Sequence, residues 1–263
     1  MRIQGATVLL TGASGGLGHA LAAAIAERGG RLVLTARRAD LVEELAQRTG
    51  GRALVADLSD RAALEQLVED VGEIDVLVAN AAVPASGALL DYEPSSIDRA
   101  IDVNLRAPIQ LARALAPAMV ARGRGHLLFV GSLAGLAATP GASMYNATKF
   151  GLRGFALSLR QDLRASGVGV SLLSPGFISD AGMFADSGAT LPPGVGTRTP
   201  AQVARAAVSA IEKGRAEVTV APPALTAGAF LATVAPGPTA RVQRLLGGDR
   251  VAAAVVAGQA RTR

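Results

Sequence analysis

The chain has 263 residues, of which half are hydrophobic, 18% are charged and 31 are glycine. This composition excludes a disordered or collagen-like chain, because it supplies enough apolar side chains for a large buried core. Cysteine is absent and histidine occurs only at His19 and His126, so disulfides and thiolate metal sites are excluded and a multi-histidine metal centre is disfavoured. We therefore predict a globular protein without a bound metal.

The formal net charge of +5 comes almost wholly from arginine, since lysine occurs only at Lys149 and Lys213. The arginines are scattered, with no run longer than Arg37-Arg38 and few aromatic residues nearby to stack on bases. This pattern favours a solvated surface over a nucleic-acid partner. The first residues lead directly into an apolar segment without a basic leader or a cleavage site, so we expect a cytoplasmic protein.

Short apolar runs alternate with longer amphipathic segments along most of the chain. Apolar runs without polar alternation are typical of parallel strands buried on both faces, and repeated strand–helix–strand units build a doubly wound sheet. The predicted strands are Ala6–Leu10, Arg31–Thr35, Arg52–Ala56, Ile74–Ala79, His126–Val130, Val168–Leu173 and Ala216–Val220. The predicted helices are Leu17–Arg28, Asp40–Arg48, Asp60–Val71, Ser96–Arg122, Ser143–Ala165 and Pro200–Lys213. We expect one α/β domain with a Rossmann-type parallel sheet over residues 1–221, followed by an extension over residues 222–263.

The first predicted strand ends in a glycine-rich turn that opens directly into the first helix. Glycines at this place let the backbone approach a pyrophosphate, and the helix N-terminus offers free N–H groups and the positive end of its dipole. A flexible loop, the plain alternative, explains neither the position nor the spacing of the glycines. The predicted dinucleotide contacts of this turn are Gly12, Ser14, Gly15, Gly16, Leu17 and Gly18.

The second predicted strand leads to Ala36, which is followed by Arg37 and Arg38. A site selective for NAD usually carries an acidic residue here to hold the ribose hydroxyls, whereas a guanidinium can bind a 2′-phosphate. Arg37 therefore favours NADP(H), with a merely solvated arginine pair as the alternative; a basic residue in place of Gly15 would have strengthened the prediction. We predict NADP(H) as the preferred cofactor and keep NAD(H) as the second choice.

The strongest chemical signal is the pair Tyr145 and Lys149, which share one face of a predicted helix because they lie four residues apart. A tyrosine with a pKa near 10 must lose about three units to act at neutral pH, and a positive charge about 4 Å away supplies about that much. Such pairs are common, but this one uses one of two tyrosines and one of two lysines. Ser132 lies just past a predicted strand, where its hydroxyl can donate to a carbonyl oxygen.

With these motifs the chain resembles the short-chain dehydrogenase/reductase family over roughly residues 4–220. Asn104, Ser132, Tyr145 and Lys149 match the family's catalytic tetrad, and the glycine turn matches as well. Asp180 stands where the family has a threonine. The resemblance implies further cofactor contacts at Asp57, Leu58, Asn80, Ala81, Ala82, Pro175, Gly176 and Ile178.

The resemblance implies exchange of a hydride between a nicotinamide and an alcohol or ketone, without a metal. Tyr145 would act as general acid in reduction and general base in oxidation, and Ser132 would polarise the substrate oxygen. Lys149 would lower the pKa of the tyrosine and hold the nicotinamide ribose, while Asn104 would anchor a water that links Lys149 to solvent. Two alternatives stay open: a ketoacyl-thioester-type reductase, and a catalytically silent nucleotide sensor or scaffold of the same fold.

Residues 181–199 bear on the substrate. They are rich in Gly, Ala and Pro and include Met183, Phe184 and Leu191, which predicts a mobile apolar lid. This character favours a hydrophobic alcohol or ketone as the small-molecule substrate.

The extension over residues 222–263 indicates which partners the protein could contact. Residues 224–235 are uncharged and apolar and lie between prolines, which predicts a helix too short to span a bilayer. Such a stretch must be covered. We expect it to pack on the lid or across the interface of a homo-oligomer, a dimer or tetramer. Contact with a membrane surface through Arg241, Arg244 and Arg250 is the less favoured alternative.

Overall fold

The computed structural model describes residues 1–192 and 195–259; Pro193 and Gly194 of the lid segment and residues 260–263 of the extension lie outside the described residues. Within that part of the chain, seven parallel strands form one sheet in the order β3-β2-β1-β4-β5-β6-β7. The strands are β1 Thr7–Thr11, β2 Arg31–Ala36, β3 Arg52–Val55, β4 Val76–Ala79, β5 Gly125–Val130, β6 Val168–Pro175 and β7 Glu217–Val220. Each lies where an apolar run predicts it, and the doubly wound Rossmann-type fold is confirmed.

Helices cover both faces of the sheet. They are α1 Gly16–Glu27, α2 Ala39–Thr49, α3 Arg61–Val71, α4 Pro94–Ile101, α5 Ala107–Ala121, α6 Ser143–Asp162, α7 Met183–Asp186, α8 Pro200–Lys213, α9 Pro223–Val234, α10 Pro236–Leu245 and α11 Gly248–Gln259. Side chains alternate across the sheet, so Val8 and Leu10 join one core with α1, α2 and α8. Leu9 points to the opposite core, which contains α3, α5 and α6. All functional turns therefore emerge at one edge, the carboxyl ends of the strands.

The stretch predicted as one helix over residues 96–122 is divided in the structure. A π-helical turn, Asp102–Arg106, separates α4 from α5. Pro108 has no N–H with which to bond the carbonyl of Asn104 four residues earlier, and this favours the wider turn. Pro117 lies inside α5 without ending it. The sequence predicts that Pro108 and Pro117 kink this helix or mark its breaks, and the structure has the break just before Pro108, in the irregular turn that carries Asn104.

The extension consists of α9, α10 and α11, with the proline-delimited helix starting at Pro223. Prolines suit the first turn of a helix, where the backbone N–H has no intrahelical partner. Consecutive helices of the extension contact one another, and α11 also contacts α7 in the lid. Among the described residues, no helix has both the length and the apolar character needed to cross a bilayer.

Candidate active site

The order of the sheet reverses between β1 and β4, and the crevice at their carboxyl ends is where such sheets bind ligands. Gly12 follows β1 with φ +65°, and a Cβ on it would stand 2.7 Å from the Cα of Ala81. A Cβ on Gly18, in the first turn of α1, would stand 2.3 Å from the carbonyl oxygen of Gly12. Only glycine fits these two positions, which draw the turn, the start of α1 and the end of β4 together.

Two polar side chains hold this crevice in shape. The buried Thr11 accepts the backbone N–H groups of Asn80 and Ala81 on its Oγ1, each at 3.0 Å. The side-chain amide of Asn80 donates to the carbonyls of Thr11 at 3.0 Å and Gly12 at 3.2 Å. Thr11 is not among the predicted residues; its signal is a hydroxyl at the end of an otherwise apolar strand. The shape of the glycine turn is thus set by bonds within the chain itself.

The end of β2 presents positive charge to the same crevice. Arg38 donates from Nη2 to the carbonyl of Ser14 at 3.1 Å, which ties it to the glycine turn. Arg37 is exposed on the crevice wall and forms no ion pair with a described residue. Just beyond the neighbouring strand β3, Asp57 accepts the N–H and the hydroxyl of Ser59 on Oδ1. Arg37 is therefore a cation available to an anionic ligand.

Ser132, Tyr145 and Lys149 meet beyond the end of β5. Lys149 is 3% exposed, and its Nζ donates to the carbonyl of Val130 at 2.9 Å. The same Nζ lies 5.7 Å from the centre of the Tyr145 ring. The Ser132 hydroxyl hydrogen-bonds the phenol and also accepts the N–H of Ala134 at 3.1 Å. A hydroxyl, a phenol and an ammonium thus lie close together on one wall of the crevice.

Burial controls the proton affinities of two of these groups. It raises the pKa of Tyr145 above the ordinary 10.0, although the hydrogen bond from Ser132 acts in the opposite direction. It lowers the pKa of Lys149 to about 8. Loss of water is the largest influence on the phenol, and the lowering of its pKa by Lys149 stays a prediction. At neutral pH Tyr145 is protonated, the form that donates a proton.

Asn104 lies behind this wall. It is fully buried, its Oδ1 accepts the N–H of Val83 at 2.7 Å, and its Nδ2 donates to the carbonyl of the same residue at 3.1 Å. Val83 in turn lines the crevice. The asparagine side chain therefore fixes the segment after β4, while its backbone carbonyl lies in the π-helical turn before Pro108.

These groups border one cavity of about 1280 Å³ that extends from the glycine turn, past the phenol, to the extension. Among the described residues, no group of His, Asp and Glu is placed to hold a metal ion. All predicted site residues except Asn104 line the cavity, namely Gly12, Ser14, Gly15, Gly16, Leu17, Gly18, Arg37, Asp57, Leu58, Asn80, Ala81, Ala82, Ser132, Tyr145, Lys149, Pro175, Gly176 and Ile178.

Comparison with known proteins identifies the family. The family model "short chain dehydrogenase" matches residues 6–191. The ketoacyl reductase HetN of Nostoc sp. is 37% identical over 227 residues, which is 83% of this chain and 79% of that protein. The chain belongs to the short-chain dehydrogenase/reductase family. It is accordingly an oxidoreductase of the NAD(P)-dependent type.

Two solved structures of short-chain dehydrogenases share the fold. A metagenomic short-chain oxidoreductase in complex with NADP has a TM-score of 0.71 at 34% identity, covering 84% of this chain and 99% of that one. A short-chain dehydrogenase from Sphingobium yanoikuyae in complex with NADPH has a TM-score of 0.76 at 30% identity, covering 91% of this chain and 94% of that one.

A positioning residue that the sequence does not reveal lies beside Tyr145 in this short-chain dehydrogenase. Asn146 is 7% exposed, and its Nδ2 donates to the carbonyls of Ala134 at 2.7 Å and Ala137 at 2.9 Å. Its Oδ1 accepts the N–H of Thr139 at 3.3 Å. One side chain therefore holds the loop that follows Ser132. Asn146 is the chain's third asparagine, but its partners lie 7 to 12 residues away and meet it only in the folded chain.

The segment after β6 is held by backbone hydrogen bonds to Arg198. Arg198 donates its N–H to the carbonyl of Phe177 and accepts the N–H of Ser179, both at 2.9 Å. Asp180, in the place of the family's threonine, has φ +66° and accepts the Ser179 hydroxyl at 2.8 Å. Aspartate tolerates this left-handed backbone better than most residues. The departure from the family pattern thus coincides with an unusual backbone turn at the start of the lid.

The lid and the extension close the far end of the cavity. The ring of Phe184 in α7 packs 4.7 Å from that of Phe177. Gly258 in α11 approaches Ser187 so closely that a Cβ on it would stand 2.0 Å from the serine carbonyl oxygen. Apolar residues of the extension line the cavity, among them Leu225, Ala229, Leu231, Val242, Val251 and Val255. The family model ends at residue 191, so this wall lies outside the matched region.

Proposed function

We propose that this protein is an NADP(H)-dependent reductase of apolar ketones, which also oxidises the corresponding alcohols. The observation that carries the proposal is the position of the Tyr145 phenol. It lines a single cavity that has the glycine turn and Arg37 at one end and apolar side chains of the lid and extension at the other. A proton donor at that junction is where a carbonyl would meet the reactive end of a dinucleotide.

The residues present fit a dinucleotide that bears a 2′-phosphate. Gly12 and Gly18 leave the backbone of the turn open to a pyrophosphate. Ala36 removes the acidic partner that would hold a free 2′-hydroxyl, and Arg37 offers an unpaired guanidinium beside it. The NADP and NADPH complexes of two relatives support this choice of cofactor. When bound, the nicotinamide supplies a hydride to a ketone carbon or accepts one from an alcohol.

Each tetrad side chain then has a separate task. Tyr145, kept protonated by its raised pKa, donates its proton to the ketone oxygen, and Ser132 donates a hydrogen bond to the same oxygen. Lys149 holds the nicotinamide ribose from its buried position. Because the side chain of Asn104 is bonded to Val83, we assign its backbone carbonyl to a water that passes protons between Lys149 and solvent.

The wall opposite the glycine turn favours an apolar substrate. It is built from side chains such as Met183 and Phe184 of the lid and Leu225, Val242 and Val255 of the extension. Burial of ligand surface against such groups is worth roughly 25 cal/mol per Å². A ketoacyl thioester is the second candidate substrate, because the Nostoc relative is a ketoacyl reductase and an acyl chain suits the same wall.

A substrate panel tests the proposal. Purified protein is mixed with NADPH and ketones of increasing apolar size, with an acetoacetyl thioester in parallel, and consumption of NADPH is followed. We expect turnover, with KM falling as the ketone grows larger and more apolar. Turnover of the thioester alone would favour the second candidate. Tight binding of NADPH without turnover of any compound would contradict both and favour a nucleotide-sensing protein.

A further inference from the structure

An apolar surface covers part of the extension. Half of the large apolar side chains that are exposed in the described residues fall between residues 230 and 246. Val234 is 79% exposed, Leu245 87% and Leu246 70%. We call this set the extension surface; it comprises Phe230, Leu231, Val234, Val242, Leu245 and Leu246. The six side chains lie on, or directly after, two helices that contact one another, and apolar exposure concentrated in this way indicates an interaction site.

Arginines flank the extension surface. Arg241, Arg244 and Arg250 are exposed, and none of them forms an ion pair within residues 1–192 and 195–259. Asp249 is the only acidic residue between residues 221 and 259. One groove is lined by Arg244, Arg250, Leu245 and Leu246 together with Gly247 and Asp249, so two cations, one anion and apolar side chains adjoin at the surface. The chemistry that complements it is a negatively charged layer over an apolar one.

The mouth of the substrate cavity lies in the same surface. Leu231, Val242 and Leu246 line the cavity and are at the same time exposed, at 56%, 52% and 70%. A residue with both properties stands at the rim of an opening. The apolar interior therefore continues outward into the extension surface, beside Arg244 and Asp249, which also line the cavity and are exposed.

We propose that the extension surface docks on an anionic lipid bilayer, with the mouth of the cavity turned toward the membrane. The apolar side chains enter the boundary between headgroups and acyl chains, and the arginines contact the lipid phosphates. If the proposed function holds, an apolar ketone passes from the bilayer to Tyr145 without crossing water. Docking itself does not depend on that function.

Two other occupants suit the surface less well. A second copy of this chain related by a twofold axis would bring the flanking arginines of both copies into one interface, with Asp249 of each copy as the only acidic residue of residues 221–259 to offset them. An acidic carrier protein would pair with the arginines but would leave Val234 and Leu245 without a role.

Sedimentation with vesicles tests the proposal. The full chain is mixed with vesicles of equal parts phosphatidylcholine and phosphatidylglycerol, or with phosphatidylcholine alone, and the pelleted fraction is measured. We expect binding to the anionic vesicles that weakens in high salt, where the screening length falls to about 3 Å at 1 M. Absence of pelleting with anionic vesicles at low salt would overturn the proposal.

Matched variants locate the contact. The double variant Val234→Asn/Leu245→Asn should lower vesicle partitioning by at least about tenfold, since each exposed apolar side chain contributes on entry. Arg241→Gln/Arg250→Gln should reduce the preference for anionic lipid. Leu90→Asn, at a side chain that is 97% exposed elsewhere, should behave as wild type. Unchanged thermal unfolding verifies the fold, and unchanged turnover of a small water-soluble ketone separates docking from catalysis.

Three outcomes would contradict the proposal. If Leu90→Asn weakens binding as much as the double variant, the contact is not at the extension surface. If the double variant still pellets but changes its mass in analytical ultracentrifugation, a second copy of the chain covers the surface. If only the arginine variant weakens binding, the surface recognises charge alone and suits an acidic protein partner.

Discussion

The carboxyl edge of the sheet and the extension differ in how their side chains are held. At the edge, buried groups bond to backbone far away in sequence: Asn80 to Thr11, Asn104 to Val83 and Lys149 to Val130. In the extension, the hydroxyls of Thr226, Thr233 and Thr239 bond to carbonyls only three or four residues earlier in the chain. The positions of the side chains at the carboxyl edge are thus fixed by several separate elements of the fold. We therefore expect substitutions of exposed side chains in the extension to leave the chemistry unchanged.

The largest effect that this contrast predicts follows removal of one hydroxyl at the edge. Tyr145→Phe should lower kcat for ketone reduction by about 10²–10⁴-fold, the usual cost of losing a general acid. NADPH affinity should stay close to wild type, as measured by fluorescence titration. Tyr92→Phe removes the hydroxyl of the only other tyrosine and is the control. Retention of more than about a tenth of the wild-type rate in Tyr145→Phe would show that another group supplies the proton.

The proton affinity of the same phenol can be measured directly. Tryptophan is absent and there are two tyrosines, so the ultraviolet titration of wild type minus that of Tyr145→Phe isolates Tyr145. Burial disfavours the charged phenolate, so we expect ionisation in the free protein only above about pH 10, the ordinary tyrosine value. A midpoint clearly below that of Tyr92 would instead support a lowering by Lys149 that outweighs burial.

Next in size is the effect at the cofactor end. Arg37→Ala should weaken NADPH binding by roughly 10–100-fold, because a hydrogen bond to a charged group contributes about 1.5–3 kcal/mol. NADH affinity should hardly change, since NADH has no 2′-phosphate. Arg48→Ala, at an exposed arginine of α2, is the matched control. Equal losses for both cofactors, or a wild-type preference for NADH, would contradict the cofactor assignment.

Sequence patterns predict this edge far better than they predict the extension. Apolar runs locate the strands, and the glycine turn and the Tyr145–Lys149 spacing predict residues that the fold brings to one cavity, because each pattern depends on local backbone rules. These patterns do not predict the π-helical turn at Asn104. A helical pattern of hydrophobic residues is the same whether each backbone N–H bonds the carbonyl four residues earlier or five residues earlier. The raised pKa of Tyr145 escapes them as well, because burial depends on distant elements. In the extension the pattern predicts a helix, but not which of its side chains reach the cavity.

A smaller effect on activity is expected at Asn146, which bonds the loop after Ser132 and is not one of the proposed reacting groups. Asn146→Ala should cost about 1–3 kcal/mol of unfolding free energy, because two buried carbonyls and an N–H lose their partner. It should also lower kcat several-fold by loosening the loop after Ser132, with KM for NADPH little changed. Thr148→Val removes another buried hydrogen bond from the same helix, one that closes locally on the carbonyl of Tyr145. If Thr148→Val lowers kcat equally, the loss at Asn146 is general destabilisation and not positioning.

The smallest effect should come from the extension, and it should depend on substrate size. Gly228 in α9 lines the cavity, and a Cβ built on it meets nothing within 4 Å. Gly228→Leu therefore extends an isobutyl group from an unobstructed Cβ and should raise KM for bulky ketones by roughly tenfold, the lower end of what a single methylene contributes in an apolar pocket. KM for the smallest ketone and kcat should stay unchanged, because Tyr145 and its neighbours are held by other elements.

Gly154→Leu, on α6 outside the cavity and equally unobstructed, controls for the higher helix propensity of leucine. A loss of kcat for all ketones alike would mean that the extension also shapes the catalytic edge, and the contrast between the two regions would fail.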